Sequence, residues 1–320
     1  MSRKLPLRIA GELDPSTMLR TADDPPIAPI PPILPDGEAI LQPPLDNTPN
    51  DASEEPPTRI PHLGHALLFL AITAVTLLLA QATLLGVVHP IHVGNMALPP
   101  KLLLAAEAST YLASLVISWF IFPLLWQRSF LIGIQWNLPA ATRNALKLVP
   151  LGLVLSFTVQ AASSLLPIPK PMPMDDFFRT SSDVWIITAF GILLAPLFEE
   201  VLFRGFFLPA FAIAYDWLCL PRTEAARSTW QSSNSLTVPA LIFSAVLSSV
   251  LFALLHGQQT AFTWPVLALL FCVSLILTNV RIRLRSVAAS TVVHASYNLT
   301  IFLAAFFVTG GYRHLDRLPR

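Results

Sequence analysis

The sequence predicts an all-α membrane protein, a polytopic bundle of about seven to eight transmembrane helices around an internal polar cavity. Mean hydropathy is +0.62 and only 12% of residues are charged, whereas a soluble domain carries about 25%. Seven apolar segments each approach the ~20 residues that a membrane-spanning helix needs. Three of these segments contain strongly polar side chains, which in a membrane helix usually face the interior of the bundle.

The predicted spans are residues 63–88, 102–126, 145–166, 184–214, 238–256, 262–280 and 287–308. The fourth is longer than a straight crossing requires, so we expect it to tilt or to leave the membrane before Pro209. Residues 136–147 predict an interfacial helix before the third span, because Trp136, Arg143 and Lys147 suit the headgroup level.

Residues 1–60 are predicted to be a disordered proline-rich tail, ahead of a membrane-embedded helical domain at 61–312. Thirteen of the thirty prolines lie in residues 1–59, a density that leaves no apolar periodicity. The tail has no hydrophobic signal-peptide core. Its P-P-x-x-P spacing fits an SH3-like partner, but a solvated tether is the interpretation that we favour.

Charge and cysteine content allow predictions about the orientation, the partners and the location of the protein. Every second loop between the predicted spans is rich in arginine, and these loops lie on the same side of the membrane as the tail. The positive-inside rule therefore places the tail in the cytoplasm. We find no basic patch interleaved with aromatic residues, so we expect no nucleic-acid partner. The absence of organelle signals favours a bacterial plasma membrane. Cys219 and Cys272 are expected to be buried small hydrophobes.

The first polar intrusion consists of Glu199, Glu200 and Arg204, inside the fourth apolar segment. An ionisable side chain at that depth costs at least ~2.5 kcal/mol by insertion scales. Glu200 and Arg204 share a helix face at i,i+4 and can neutralise each other. Glu199 points ~100° away and has no partner on its own helix. This position suits a general base or a metal ligand.

The second and third intrusions are Phe252 with His256, and His294 with Asn298, each pair at i,i+4. Taken alone, His256 is more typical of a helix end at the membrane interface than of a catalytic site. The pair of His294 and Asn298 is as typical of hydrogen bonding between helices as of catalysis. If the helices are neighbours, however, one cavity holds the carboxylate of Glu199, two imidazoles and a carboxamide.

Two hydrolytic routes are open to such a cavity. In the first, Glu199 and His256 move a proton from water to a leaving amine, while His294 and Asn298 stabilise the oxyanion. In the second, Glu199, His256 and His294 hold a divalent metal that polarises the water. Nitrogen and oxygen ligands suit zinc, but the H-E-x-x-H signature is absent, so the spacing does not require a metal.

These three motifs, E-E-x-x-x-R, F-x-x-x-H and H-x-x-x-N in this order, resemble the signature of the CAAX protease and bacteriocin-processing enzyme family (CPBP, also called Abi), which is similar to type II CAAX prenyl endopeptidases. The resemblance covers about residues 184–308. It implies an intramembrane endopeptidase with a conical cavity. By motif position it implies that Glu199 activates the water with help from His256, and that His294 and Asn298 bind the oxyanion or a metal. Glu200 and Arg204 would be supporting residues. We favour the metal-dependent route, with zinc as the cofactor.

The leading hypothesis is therefore a membrane-embedded protease that acts on a peptide or protein substrate at the lipid bilayer. The alternative from another class is a non-catalytic immunity or scaffold protein with the same fold. A pure binder need not keep a buried unpaired carboxylate such as Glu199, which argues against this alternative. A transporter that uses Glu199 as a proton relay is a third possibility, disfavoured because no internal repeat is visible.

Overall fold

The computed structural model describes residues 59–88, 100–168 and 172–318. Within these ranges seven helices are long and apolar enough to cross a membrane, which confirms the predicted polytopic bundle. The proline-rich tail lies outside the described residues, apart from its last two positions. The α-helices are α1 (Leu63–Val88), α2 (Pro100–Trp126), α3 (Phe130–Gly133), α4 (Leu138–Arg143), α5 (Ala145–Ser164), α6 (Ser181–Ala189), α7 (Ala195–Glu200), α8 (Leu208–Cys219), α9 (Glu224–Ser232), α10 (Val238–Leu255), α11 (Trp264–Leu284) and α12 (Val287–Val308).

Several of these helices begin at a hydroxyl side chain that caps the first turn. The hydroxyl oxygens of Thr180, Thr237 and Ser286 accept backbone N–H bonds at the starts of α6, α10 and α12. Such caps satisfy donors that the first helical turn leaves unpaired. The predicted interfacial helix at 136–147 is divided in two, because α4 ends at Arg143 and α5 begins at Ala145.

The fourth span runs continuously from Ser181 to Cys219 over 39 residues. The helix itself therefore does not end at Pro209, and the expectation that the span tilts or leaves the membrane before Pro209 stays a prediction. Two π-helical segments, Phe190–Leu194 and Val201–Phe207, interrupt it on either side of α7. Pro196 and Pro209 each occupy the second position of the α-helix that follows a π segment. Proline has no N–H to donate, and the wider π turn accommodates that loss.

α12 lies at the centre of the bundle and packs against α5, α11 and α7. The approach of α5 is close because Gly152 faces the backbone of α12. A Cβ at this glycine would lie 2.5 Å from the carbonyl oxygen of Val293. Small residues allow membrane helices to approach in this way. On the other side α10 packs against α8 and α11, and α1 packs against α2. These contacts place α7, α10 and α12 around one interior space.

The buried side chains form an aromatic core and an aliphatic core. In the first, the fully buried ring of Phe206 stacks on Phe69 at a centroid distance of 4.5 Å. The second lies between α5, α11 and α12. Many large apolar side chains face outward from the spans, as expected of helices in contact with lipid. The expectation of buried cysteines is wrong, because Cys219 and Cys272 are both exposed on outer helix faces.

Candidate active site

The three motifs meet at the carboxylate of Glu199. Its Oε2 lies 3.8 Å from Nε2 of His294 and 3.9 Å from Nε2 of His256. Glu199 is 8% exposed, and this oxygen has no hydrogen-bond partner among the described residues. α7, α10 and α12 are thus neighbours, and their least explained polar groups share one centre.

Glu200 forms the rigid support behind this centre. Its Oε1 accepts bonds from Nη1 of Arg204 at 2.8 Å and from Nδ1 of His294 at 3.0 Å. Glu200 and Arg204 are both 0% exposed. Nη2 of Arg204 donates to the carbonyl and hydroxyl oxygens of Ser274, each at 2.8 Å, and Ser274 donates on to Ser249. The i,i+4 ion pair therefore also orients a histidine and joins α7 to α10, α11 and α12.

The hydrogen bonds of the two histidines fix which ring nitrogen faces Glu199. Nδ1 of His256 lies 2.9 Å from the carbonyl oxygen of Phe252, which can only accept. Nδ1 of His294 likewise faces a carboxylate oxygen of Glu200. Each neutral imidazole therefore carries its proton on Nδ1 and presents a bare Nε2 lone pair to Glu199. Three acceptor atoms converge without a donor, so the centre attracts a proton, a water that donates both hydrogens, or a cation.

The ring of Phe252 lies close to both imidazoles and to the guanidinium group of Arg204. Its ring centroid lies 4.8 Å from that of His256 and 5.9 Å from that of His294. The guanidinium carbon of Arg204 lies 5.0 Å from the same ring, within the range of a cation–π contact. The ring thus restricts both imidazole orientations and covers Arg204.

Asn298 is held by the irregular backbone of the fourth span. Its Nδ2 donates to the carbonyl oxygen of Gly191 at 2.6 Å. The π-helical segment has hydrogen bonds between residues five apart, and one of them joins the N–H of Ala195 to the carbonyl of Phe190. The next donor in that register would be Pro196, which has no N–H. Asn298 therefore satisfies the carbonyl that the proline leaves free, and the residue also lines the cavity.

The centre opens into a cavity of about 420 Å³ that is lined mainly by apolar and aromatic side chains. Sequence reasoning missed a polar cavity residue on α2, Glu107, and the tyrosine that positions it. Glu107 lines the cavity, and its Oε1 accepts a 2.9 Å bond from the hydroxyl of Tyr111. The Tyr111 ring stacks on Phe198 at 3.9 Å, beside Glu199. The signal was present in the sequence, since Glu107 is an acid within the predicted second span. The polar residues that line the cavity are Glu107, Gln160, Ser163, Glu199, His256, Gln259, Thr260, His294, Tyr297 and Asn298.

The donor set is chemically suited to a divalent cation, although its spacing is slightly wide. Two imidazole nitrogens and one carboxylate oxygen are ligands that zinc accepts, and adjacent ligands of a tetrahedral zinc lie about 3.4 Å apart. The distances from Glu199 to His256 and His294 exceed this by a few tenths of an ångström. At these separations, no group of three or more His, Cys, Asp or Glu side chains in the described ranges is placed to hold a metal ion.

Residues 181–300 match the family model described as type II CAAX prenyl endopeptidase Rce1-like. This match confirms the resemblance that the three motifs predicted. The Rce1-like segment, residues 181–300, begins with α6 and contains Glu199, His256, His294 and Asn298. α1 to α5, including Glu107, lie outside it. Neither the curated proteins nor the solved structures include a match to this chain.

Proposed function

We propose that the chain is an intramembrane endopeptidase that hydrolyses peptide bonds of membrane-associated substrates with Glu199 as the general base. The observation that carries the proposal is the convergence of Glu199 with His256 and His294 in a cavity of an integral membrane protein. The match of residues 181–300 to a prenyl endopeptidase family supports the same reaction class.

In the proposed reaction a water molecule lies between Glu199 Oε2 and the bare Nε2 of His256. Glu199 takes one proton of this water while the water oxygen bonds to the scissile carbonyl carbon. The C–N bond then breaks, and the proton passes through His256 to the leaving amine. Both histidines are fixed through Nδ1, so neither has to reorient during the transfer.

In this route Asn298 and His294, which line the same cavity, stabilise the developing oxyanion. The second N–H of Asn298 Nδ2 remains available after its bond to Gly191. His294 can donate only when its Nε2 carries a proton, since Nδ1 is engaged with Glu200. A single oxyanion donor is typically worth about 10²–10³-fold in turnover.

For the metal-dependent route, which is the alternative to Glu199 acting as a free general base, we propose that Glu199, His256 and His294 would hold a divalent metal, with zinc as the first candidate. When bound, such an ion lowers the pKa of a coordinated water and polarises the carbonyl. The orphaned oxygen of Glu199 and the two bare imidazole nitrogens support this proposal. The bacterial plasma membrane and the cytoplasmic position of the tail also stay predictions.

One experiment tests the proposal on a single purified preparation. Peptide cleavage and metal content are measured for the wild type and for Glu199→Gln, which keeps the shape but removes the base. We expect cleavage to be lost in the variant while thermal unfolding stays close to that of the wild type. If the metal route operates, bound zinc falls together with activity. Equal cleavage by both proteins would refute the catalytic role of Glu199, and no cleavage by either would favour the non-catalytic alternative.

A further inference from the structure

Among the described residues that line the cavity, Glu107 is the one carboxylate for which the proposed reaction has no use. It lies on α2, outside the segment that matches the endopeptidase family. It nevertheless lines the same cavity as Glu199, His256 and Asn298. An ionisable side chain in a membrane span is costly, and such residues commonly mark a binding or transport function.

Tyr111 positions the carboxylate of Glu107, but no positively charged side chain among the described residues forms an ion pair with it. In the described part of the chain it takes part in no ion pair, and its polar partner is the hydroxyl of Tyr111, which donates to Oε1. Its second oxygen, Oε2, makes no hydrogen bond within the part of the chain that the structure describes. The Tyr111 ring is clamped in turn, because it stacks on Phe198 at 3.9 Å and on Phe190 at 5.6 Å.

The surroundings of Glu107 favour a ligand with positive charge. The described residues that line the cavity include a second acid, Glu199, and no lysine or arginine. The buried guanidinium of Arg204 is engaged with Glu200 and Ser274. A cationic group that enters this largely apolar space would find in Glu107 an acceptor for a charge-assisted hydrogen bond.

We propose that Glu107 is a specificity-determining residue that binds a basic side chain of the substrate, a lysine or arginine close to the scissile bond. This inference rests on the proposed endopeptidase function. Tyr111 acts as a positioning residue, since it holds the carboxylate toward the cavity and links it to α7 through Phe198. The substrate class is thus a membrane-associated peptide with a basic residue within the part that enters the cavity.

The test measures binding separately from chemistry. Fluorescent peptides with one lysine are compared with matched peptides in which norleucine, which keeps the aliphatic stem and lacks the amine, replaces it. The lysine is moved along the peptide one position at a time. Dissociation constants are measured in neutral detergent on the full chain carrying Glu199→Gln, so that no turnover is needed. At the best position we expect the lysine peptide to bind roughly 10- to 100-fold more tightly.

Variants of Glu107 assign this preference to one side chain. Glu107→Gln keeps the size and an oxygen that accepts from Tyr111, so it should fold and lose the lysine preference. Glu224→Gln is the matched control, since it removes the same charge from exposed α9, far in sequence from the cavity lining. Glu107→Lys should reverse the preference toward a glutamate peptide.

Each outcome decides one of the two proposals. Equal binding of lysine and norleucine peptides at every position, or a lysine preference that survives Glu107→Gln, would overturn the role of Glu107. Either result leaves the endopeptidase proposal intact if the chain with native Glu199 still cleaves peptides. A lysine preference that is lost in Glu107→Gln but kept in Glu224→Gln supports the specificity site, even if no cleavage is found.

Discussion

Glu200→Gln should destabilise the protein much more than the same change at the neighbouring Glu199. Arg204 and Glu200 are both 0% exposed and 2.8 Å apart. Removing one partner of a buried ion pair costs ~3–5 kcal/mol, because the other charge is left uncompensated. Arg204 keeps its two bonds to Ser274, and a glutamine oxygen can still accept one N–H. We therefore expect the lower end, ~3 kcal/mol, or a decrease in Tm of roughly 6–12 °C for a chain of this size.

The assay is thermal unfolding in neutral detergent, followed by intrinsic fluorescence. Glu199→Gln is the matched control, since it makes the same chemical change one residue earlier, at a carboxylate whose Oε2 has no hydrogen-bond partner among the described residues. This control should unfold near the wild-type temperature. A double variant, Glu200→Gln with Arg204→Met, removes both charges and should recover part of the loss.

Two results would contradict the predicted difference in unfolding temperature between Glu199→Gln and Glu200→Gln. If Glu200→Gln unfolds at the wild-type temperature, the buried pair contributes no net stability and Arg204 must find other partners. A Tm decrease in Glu199→Gln equal to that in Glu200→Gln would show that the two carboxylates are not divided into a catalytic and a supporting role.

Two further predictions concern the backbone around the site. Gly152→Ala should destabilise the bundle by about 1–3 kcal/mol through overpacking against α12. The control Gly86→Ala, where a Cβ meets nothing within 4 Å, should be neutral or slightly stabilising in the same unfolding assay. Equal effects of the two substitutions would contradict the close approach of α5 to α12. Asn298→Ala should cost ~1–3 kcal/mol by leaving the Gly191 carbonyl unpaired, and less in a Pro196→Ala background that restores an N–H donor. Additive losses in that double-mutant cycle would show that proline and asparagine are not coupled.

The membrane architecture was readable from the sequence because it depends on local properties. Seven spans were predicted, and seven are present in the described residues, since the bilayer sets the length and apolarity of each helix independently of its neighbours. The i,i+4 pairing of Glu200 with Arg204 was equally local, and the structure confirms it at 2.8 Å. Helix ends and irregularities were less accessible. The continuation of the fourth span through Pro209 depends on a π-helical segment that no sequence period indicated.

The polar residues of the centre were identified from the sequence, but their roles in the assembled protein were not. That Glu199, His256 and His294 are strongly polar within apolar helices follows from their position in the sequence and the cost of burying them. That they meet within 4 Å is decided by the packing of α7, α10 and α12. The link from His294 to Glu200 also joins residues 94 positions apart, and no local pattern encodes a contact of that kind.

The sequence by itself determined that the chain spans a membrane as a helical bundle and that a few ionisable groups are placed in it at an energetic cost. The tertiary structure decided which nitrogen each histidine presents, why Asn298 is bound to the carbonyl that Pro196 leaves free, and that Glu107 of α2 shares the cavity with Glu199. The physical reason is the distance along the chain over which each kind of interaction acts. Hydrophobicity and helical periodicity act within one segment, whereas hydrogen-bond partners and cavity walls depend on how distant helices are brought together.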